Sequence, residues 1–283
     1  MSLPGLLIAV QLSTGAAGAA TMSGNVSGIQ PVDIYQVTGN ITVPSGLTLT
    51  LQPGTILKFN AGLSLTVNGT LISSGTVAEP VIFTSYADDA AVGDTNGDGA
   101  ATTPGAGNWG VFSFDSANSA SRVVRTIVRY GAYVNFNASS PVYQDSSVTD
   151  MSQAAFKMNG AAEPRGSGLT ASNCPINGVD VLGGTISTVR VWSNLGIPYV
   201  LRTAQTTVGG SGSLTIEAGT VIKAQGTFHG NQGMLRADRP LTISGTAADP
   251  VIFTSLKDDT VGGDTNNDGG ASAPARGDWQ GVL

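Results

Sequence analysis

Two hexapeptides carry the chain's clearest chemistry. Asp94-Thr-Asn-Gly-Asp-Gly99 and Asp264-Thr-Asn-Asn-Asp-Gly269 set carboxylate and amide oxygens at alternate positions, with a glycine after them to turn the chain. That spacing lets several oxygens converge on one hard cation, and calcium is the expected ion. The backbone carbonyl of Ala100 or Gly270 stands where a further ligand comes from. The twelfth position of each loop is Gly105 or Ala275, so no bidentate glutamate closes it and the motif is not an EF-hand. Further oxygens are expected from the paired acids just upstream. The candidate ligands are therefore Asp88, Asp89, Asp94, Asn96 and Asp98 in the first loop, and Asp258, Asp259, Asp264, Asn266 and Asp268 in the second. No basic residue occurs between Lys58 and Arg122. Four carboxylates within residues 88–98 repel one another unless a cation or solvent screens them. The alternative is a solvated acidic turn, since Asp, Asn and Gly are also ordinary turn residues.

Counting excludes other chemistry. The only histidine is His229 and the only cysteine is Cys174, so no two-histidine mechanism, multi-cysteine metal site or intrachain disulfide can form. Charged residues make up 11% of the 283, with a net charge of −6. No basic stripe is present to meet phosphates, which argues against nucleic acid as a partner. No apolar run is long enough to span a membrane as a helix. Residues 3–10 are apolar and precede an Ala/Gly stretch, which reads as a clipped secretory signal or as an N-terminal cap.

The loops belong to a repeat. Residues 81–99 (VIFTSYADDAAVGDTNGDG) match residues 251–269 (VIFTSLKDDTVGGDTNNDG) at an offset of 170, and residues 49–58 match residues 214–223 at an offset of 165. Five extra residues lie near Phe228–Arg236 in the second copy. Trp109 and Trp279 follow the loops at the same position, as do Gly107 and Gly277. The expected units are residues 1–30 as leader or cap, 31–196 as the first copy, and 197–283 as a truncated second copy. The acidic loops occupy 85–107 and 255–277, and regular coils occupy 121–190. A shorter recurrence lies within: Ile127, Val148 and Leu169 at intervals of 21, then Phe156 and Val179 at 23. Short strands recurring every 20–25 residues are the mark of a β-solenoid. Segments such as Leu47-Thr-Leu-Thr-Leu51 alternate apolar with hydroxyl residues, and turns such as Pro53-Gly54 and Asn68-Gly69 punctuate them. The fold class expected is all-β: a single-stranded right-handed parallel β-helix with two long acidic loop excursions. Its interior is expected to be filled by Val, Ile and Leu and to be too thin for many rings.

Ile41-Thr-Val-Pro-Ser-Gly46, Leu49-Thr-Leu-Gln-Pro-Gly54, Val67-Asn-Gly-Thr-Leu71, Pro80-Val-Ile-Phe-Thr-Ser85 and Gly93-Asp-Thr-Asn-Gly-Asp-Gly99 resemble the repeat of bacterial secreted parallel β-helix proteins of the pectate-lyase-like fold. The resemblance covers nearly everything from Tyr35 onward. It is specific for architecture and weak for activity, since that fold carries lyases, hydrolases and adhesins. It implies a secreted or cell-surface bacterial location and a fragment of a longer repetitive chain. The leading function is a non-enzymatic scaffold or adhesin with structural calcium, contacting carbohydrate or cell-surface ligands. End-to-end self-association is a further expectation. The alternative is a polysaccharide lyase or glycoside hydrolase. Lyases of this fold pair calcium with an Arg or Lys base, and Arg125, Arg129, Lys157, Arg165 and Arg190 leave that open. The hydrolases show an Asp pair with a Gly-His-Gly turn, which Phe228-His229-Gly230 lacks. The remaining residues have plain structural readings. Trp109 and Trp279 pack their loops on the coils. Lys58 and Lys223 snorkel at the rim. Cys174 is a small core residue, and the Glu163–Arg165 pair is solvated.

Overall fold

A computed structural model describes residues 19–115, 120–226 and 232–283. Among them there is no helix, and the strands stack as a parallel β-solenoid of about nine turns. Residues 1–18, with the signal-like segment, and His229 lie outside the described residues.

Each coil contributes one short strand to each side, and strands of successive coils pair in columns. The first column runs Gly28–Gln30, Thr48–Leu51, Thr70–Ser74, Arg122–Val124, Val142–Gln144 and Arg165–Ser167. The second and third both start on strand Ala20–Asn25, which pairs along the two halves of the long strand Ile34–Val43. From the first half of that strand the second continues through Ile56–Phe59, Val81–Ser85, Thr126–Arg129, Ser147–Thr149 and Thr170–Ser172. The third continues from its second half. It passes through Leu65–Val67, Val111–Phe114, Tyr133–Phe136, Ala154–Met158, Ile176–Val181, Tyr199–Leu201, Val221–Ala224 and Ile252–Ser255. From Gly184 onward the other two sides are new columns, beginning at Gly184–Ile186 and Val189–Trp192.

Alternation along each strand sends one set of residues inward. Parallel pairing then lines them up as ladders: Tyr35, Leu57, Phe83, Val128 and Val148 in the second column, and Val67, Phe114, Phe136, Met158, Val181 and Leu201 in the third. All are buried, each contributing about 1.5–3 kcal/mol by area removed from water. The interior is wider than expected. Phe83 stacks on Phe112 at 5.0 Å, Phe136 on Phe156 at 5.5 Å, and Tyr143 meets Phe114, Phe136 and Phe156 edge-on. The in-register pair Phe114 and Phe136 is tilted at 6.1 Å, and the stacked pairs join different columns or offset positions, so the rings interlock across coils.

Single residues with positive φ make the corners. Arg125, Asp145 and Gly168 stand between the first and second columns, and Tyr130, Asp150 and Asn173 between the second and third. The left-handed conformation turns the chain within one residue, and Asn173 Nδ2 donates to Asp150 Oδ1 on the coil below (3.1 Å), tying that corner along the axis. These corners shift the register from the one expected. Ile127 pairs with Ser147, and Val128, not Ile127, stands over Val148. The Phe156–Val179 pairing is as expected.

Candidate metal centre

Each acidic loop is rooted by a buried lysine. Lys58 lies on the outer side of Ile56–Phe59, in register with Thr84 on the next coil. It is fully buried because the first loop folds back over it. Its Nζ donates to Thr95 Oγ1 (2.7 Å) and to the carbonyl of Gly93 (3.2 Å). Gly93 has φ +83°, the left-handed region that turns its carbonyl back toward the coil. Lys223 occupies the same place in the second copy, in register with Thr254 and equally buried, with Nζ on the carbonyls of Gly263 (2.6 Å) and Asp258 (2.7 Å). Burial pushes both ammonium groups below their ordinary pKa. The opposing pull comes first from Asp88 and Asp89 on Lys58, and from Asp259 and Asp258 on Lys223. The rim reading of the two lysines is thus corrected. Strand position gave the outer face, but a loop that returns over that face turns a solvated cation into an anchor.

The paired acids divide their work. Asp88 is fully buried; its Oδ2 accepts the Thr84 hydroxyl and lies 2.6 Å from Arg129 Nη2. Arg129 stands on the coil after Val81–Ser85, so the cation that the local sequence lacks is supplied by stacking. Asp258 Oδ2 accepts the Thr254 hydroxyl (2.5 Å), and its Oδ1 accepts the hydroxyl (2.5 Å) and N–H (3.1 Å) of Thr260. Those bonds, led by that from Thr254, hold its carboxyl below the usual range. Both first acids therefore face the coil.

The second acids face the loops. Asp89, Asp94 and Asp98 each offer a carboxylate oxygen, all within 4.8 Å of one another, and Asp259, Asp264 and Asp268 repeat the arrangement. The turns hold these groups in place. Asp94 Oδ1 accepts the N–H of Gly97 (2.7 Å) and Asp98 (3.2 Å), and Oδ2 that of Gly99 (2.8 Å). The Gly99 bond leads in keeping the Asp94 carboxyl below its ordinary value. Asp264 likewise accepts from Asp268 (3.0 Å) and Gly269 (2.9 Å). Asn96 Nδ2 donates to Asp98 Oδ2 (2.9 Å), Asn266 Nδ2 to Asp268 Oδ2 (2.7 Å), and the hydroxyls of Thr102 and Ser272 close on the same oxygens. The asparagines thereby orient a carboxylate.

What remains is a set of acceptors without donors. Asp89 Oδ1, Asp98 Oδ1, Asp259 Oδ1 and Asn266 Oδ1 are shielded from solvent and accept no hydrogen bond. Burial, then Asp264 and Asp268, push the Asp259 carboxyl above its ordinary value. Oxygens in contact with a calcium ion lie about 2.3–2.6 Å from it, so those on opposite sides are about 5 Å apart. The spacing of each trio fits that sphere, and three carboxylates supply the charge a divalent ion balances.

The other singled-out residues are structural. Trp109 is fully buried, stacks on Phe59 at 4.4 Å and donates Nε1–H to the Arg129 carbonyl (2.8 Å), fixing the loop's return. Trp279 is half-buried, and Ala224 stands where the first copy has Phe59. Cys174 is buried in the core, its thiol pushed up to about 11 by burial. Glu163 is buried, not solvated, and bridges Arg165 (2.5 Å) and Arg190 (3.8 Å). Arg125 pairs with Asp145 (3.1 Å) and Arg202 with Asp180 (2.8 Å). Each of these arginines is committed to an acid outside the two trios. Compared with protein-family models, curated proteins and solved structures, the chain finds no significant match.

Proposed function

We propose that the chain is a secreted or cell-surface β-helical scaffold of adhesin type. Two structural calcium ions stiffen its loops, and the rod presents them to carbohydrate or other surface ligands. The observation that carries this reading is the repeated trio of carboxylates, with shielded oxygens that no protein donor satisfies. A buried acceptor left without a partner costs about 1–3 kcal/mol, and a bound cation would remove that cost at several atoms together. Extracellular modules work at calcium concentrations where sites of about 10⁻⁴–10⁻³ M are filled, which suits an external location. Among the described residues, no helix is long and apolar enough to cross a membrane. A scaffold also agrees with Arg125, Arg129, Arg165, Arg190 and Arg202, which are spent on ion pairs between and within coils.

The test is thermal melting of the intact chain in calcium and in chelator. A ligand at 100 times its Kd stabilises by about 2.7 kcal/mol per site. Melting is expected to rise with calcium, and the rise to shrink in Asp89→Asn/Asp98→Asn. An identical melting temperature in calcium and chelator contradicts the calcium reading.

A further inference from the structure

We propose that the cleft beneath the first loop binds a neutral sugar ring through a pair of adjacent hydroxyls. The proposal deepens the carbohydrate contact above. It rests on the scaffold reading; the cleft wall includes Asp98 of the carboxylate trio, and the sugar donors come from Asn60 and Asn108.

A cavity of ≈ 380 Å³ lies between the corner at Asn60 and Ala61 and the loop that folds back over it. That volume falls within the range of small-molecule sites. Its polar groups are fixed before any ligand arrives. Asn60 Oδ1 accepts from Gln36 Nε2 (3.0 Å). Asn108 Oδ1 accepts the N–H of Gly105 (2.6 Å) and the hydroxyl of Ser85 (3.3 Å). Both amides are thus locked with their NH₂ groups uncommitted. Asp98, also in the lining, engages Oδ2 with Asn96 and Thr102, and its Oδ1 is shielded from solvent, so it lends the cleft its charge and no direct contact. The Tyr86 hydroxyl donates to the Thr95 carbonyl (2.9 Å), which holds its ring in the wall. Phe59, stacked on Trp109, forms part of the floor.

Oriented amide donors and an aromatic wall match a sugar: hydroxyl oxygens that accept from the amides, and C–H faces that pack on rings. No Lys, Arg or His lines the cleft, and Asp98 is negative, so an acidic sugar is disfavoured and a neutral one favoured. The second loop lacks this chemistry. There Leu256, Lys257 and Asp278 replace Tyr86, Ala87 and Asn108. Lys257 Nζ pairs with Asp278 Oδ1 (3.0 Å), and Ser255 donates to Asp278 Oδ2 (2.7 Å).

That difference supplies the test. The intact chain is titrated with the methyl glycosides of glucose, galactose and mannose, and with galacturonate, by saturation-transfer NMR and calorimetry. Each titration is run in calcium and in chelator. Ala87→Lys/Asn108→Asp installs the pair that the second loop already accommodates, so its fold can be checked by melting. Expected are saturable binding of at least one neutral glycoside, at least tenfold weaker binding of galacturonate, and at least tenfold loss in the double variant at an unchanged melting temperature. If the double variant fails to fold, Thr103→Val, a change in the cleft wall, takes its place, with at least threefold loss expected. No binding up to the order of 100 mM, equal binding of galacturonate, or binding unchanged in the folded variant overturns the proposal. A calcium-dependent melting shift without sugar binding rejects this inference alone. Sugar binding without the shift rejects calcium alone.

Discussion

The two acidic loops are near copies in sequence but not in setting, and the contrast separates what the motif does from what the rod does. Both rise from a strand whose neighbour carries a buried lysine, both turn their first Asp toward the coil, and both gather three carboxylates with nearly the same turn hydrogen bonds. Yet Val81–Ser85 belongs to the second column and Ile252–Ser255 to the third. The sequence repeat is therefore not a whole number of coils, and the second loop leaves the rod one side further round. Its underside differs accordingly. Leu256 packs with Ala154, Ile176 and Val200 in a small cluster outside the main core, and Asn177 Nδ2 donates to the Asp264 carbonyl (2.8 Å). The first loop relies on the Asp88–Arg129 pair and the Trp109–Phe59 stack. The lesson is that the cation-site geometry is encoded within the loop, while the anchoring is assembled from whichever coils lie beneath.

Perturbing the anchors sharpens this contrast. The largest effect is expected from Trp109→Ala, about 3–5 kcal/mol for a fully buried indole. Trp279→Ala, at a half-buried site without a ring partner, is expected to cost about 1 kcal/mol. Equal losses in denaturant unfolding would erase the distinction. Next is Arg129→Met, which leaves the buried Asp88 without its cation and is expected to cost about 3 kcal/mol. Hydrogen exchange should rise in residues 86–108 and stay unchanged in 256–277. A smaller gain is expected from Ala90→Thr. Asp88 Oδ1 has no donor, whereas Asp258 Oδ1 has Thr260, so transplanting that threonine should stabilise the first loop by about 1 kcal/mol. A destabilised variant would show that the two backbones diverge there.

The smallest effect is a pH dependence that Asp278 adds to the second loop alone. Hydrogen bonds from Ser255, then from Ala275, and the Lys257 ammonium lower the Asp278 carboxyl to about 2. Because the folded value lies below an unfolded one of about 3.9, its stabilisation is complete above about pH 4. It is lost as pH falls through about 2. Position 108 is Asn and does not titrate. Between pH 4 and 2 the Trp279 indole NMR signal should broaden before that of Trp109, and Asp278→Asn should remove the lead. Simultaneous broadening would count against this role for Asp278.

Architecture was legible from recurrence and turns, because a solenoid writes its coil length into the spacing of strands such as Phe156 and Val179. The register at Ile127 was not, because a corner residue such as Arg125 leaves no compositional trace of its positive φ. The carboxylates of Asp94 and Asp98, and of Asp264 and Asp268, were readable from their spacing, and with Asp89 and Asp259 they lie within 4.8 Å of one another in each loop. The division of Asp88 from Asp89 was not, nor the service of Lys58 and Lys223. Each depends on a partner delivered by a neighbouring coil or a returning loop, a distance along the chain at which local pattern is silent. Recurrence of the lysines at the same repeat position was the one available signal.

Calcium stoichiometry tests the account most directly. Titration calorimetry on the intact chain should give two ions, one per carboxylate trio. Asp89→Asn/Asp98→Asn should remove one, and Asp259→Asn/Asp268→Asn the other, while both variants keep the parent's solenoid circular-dichroism signature. Absence of calcium-dependent heat, or a stoichiometry that neither variant changes, would contradict it.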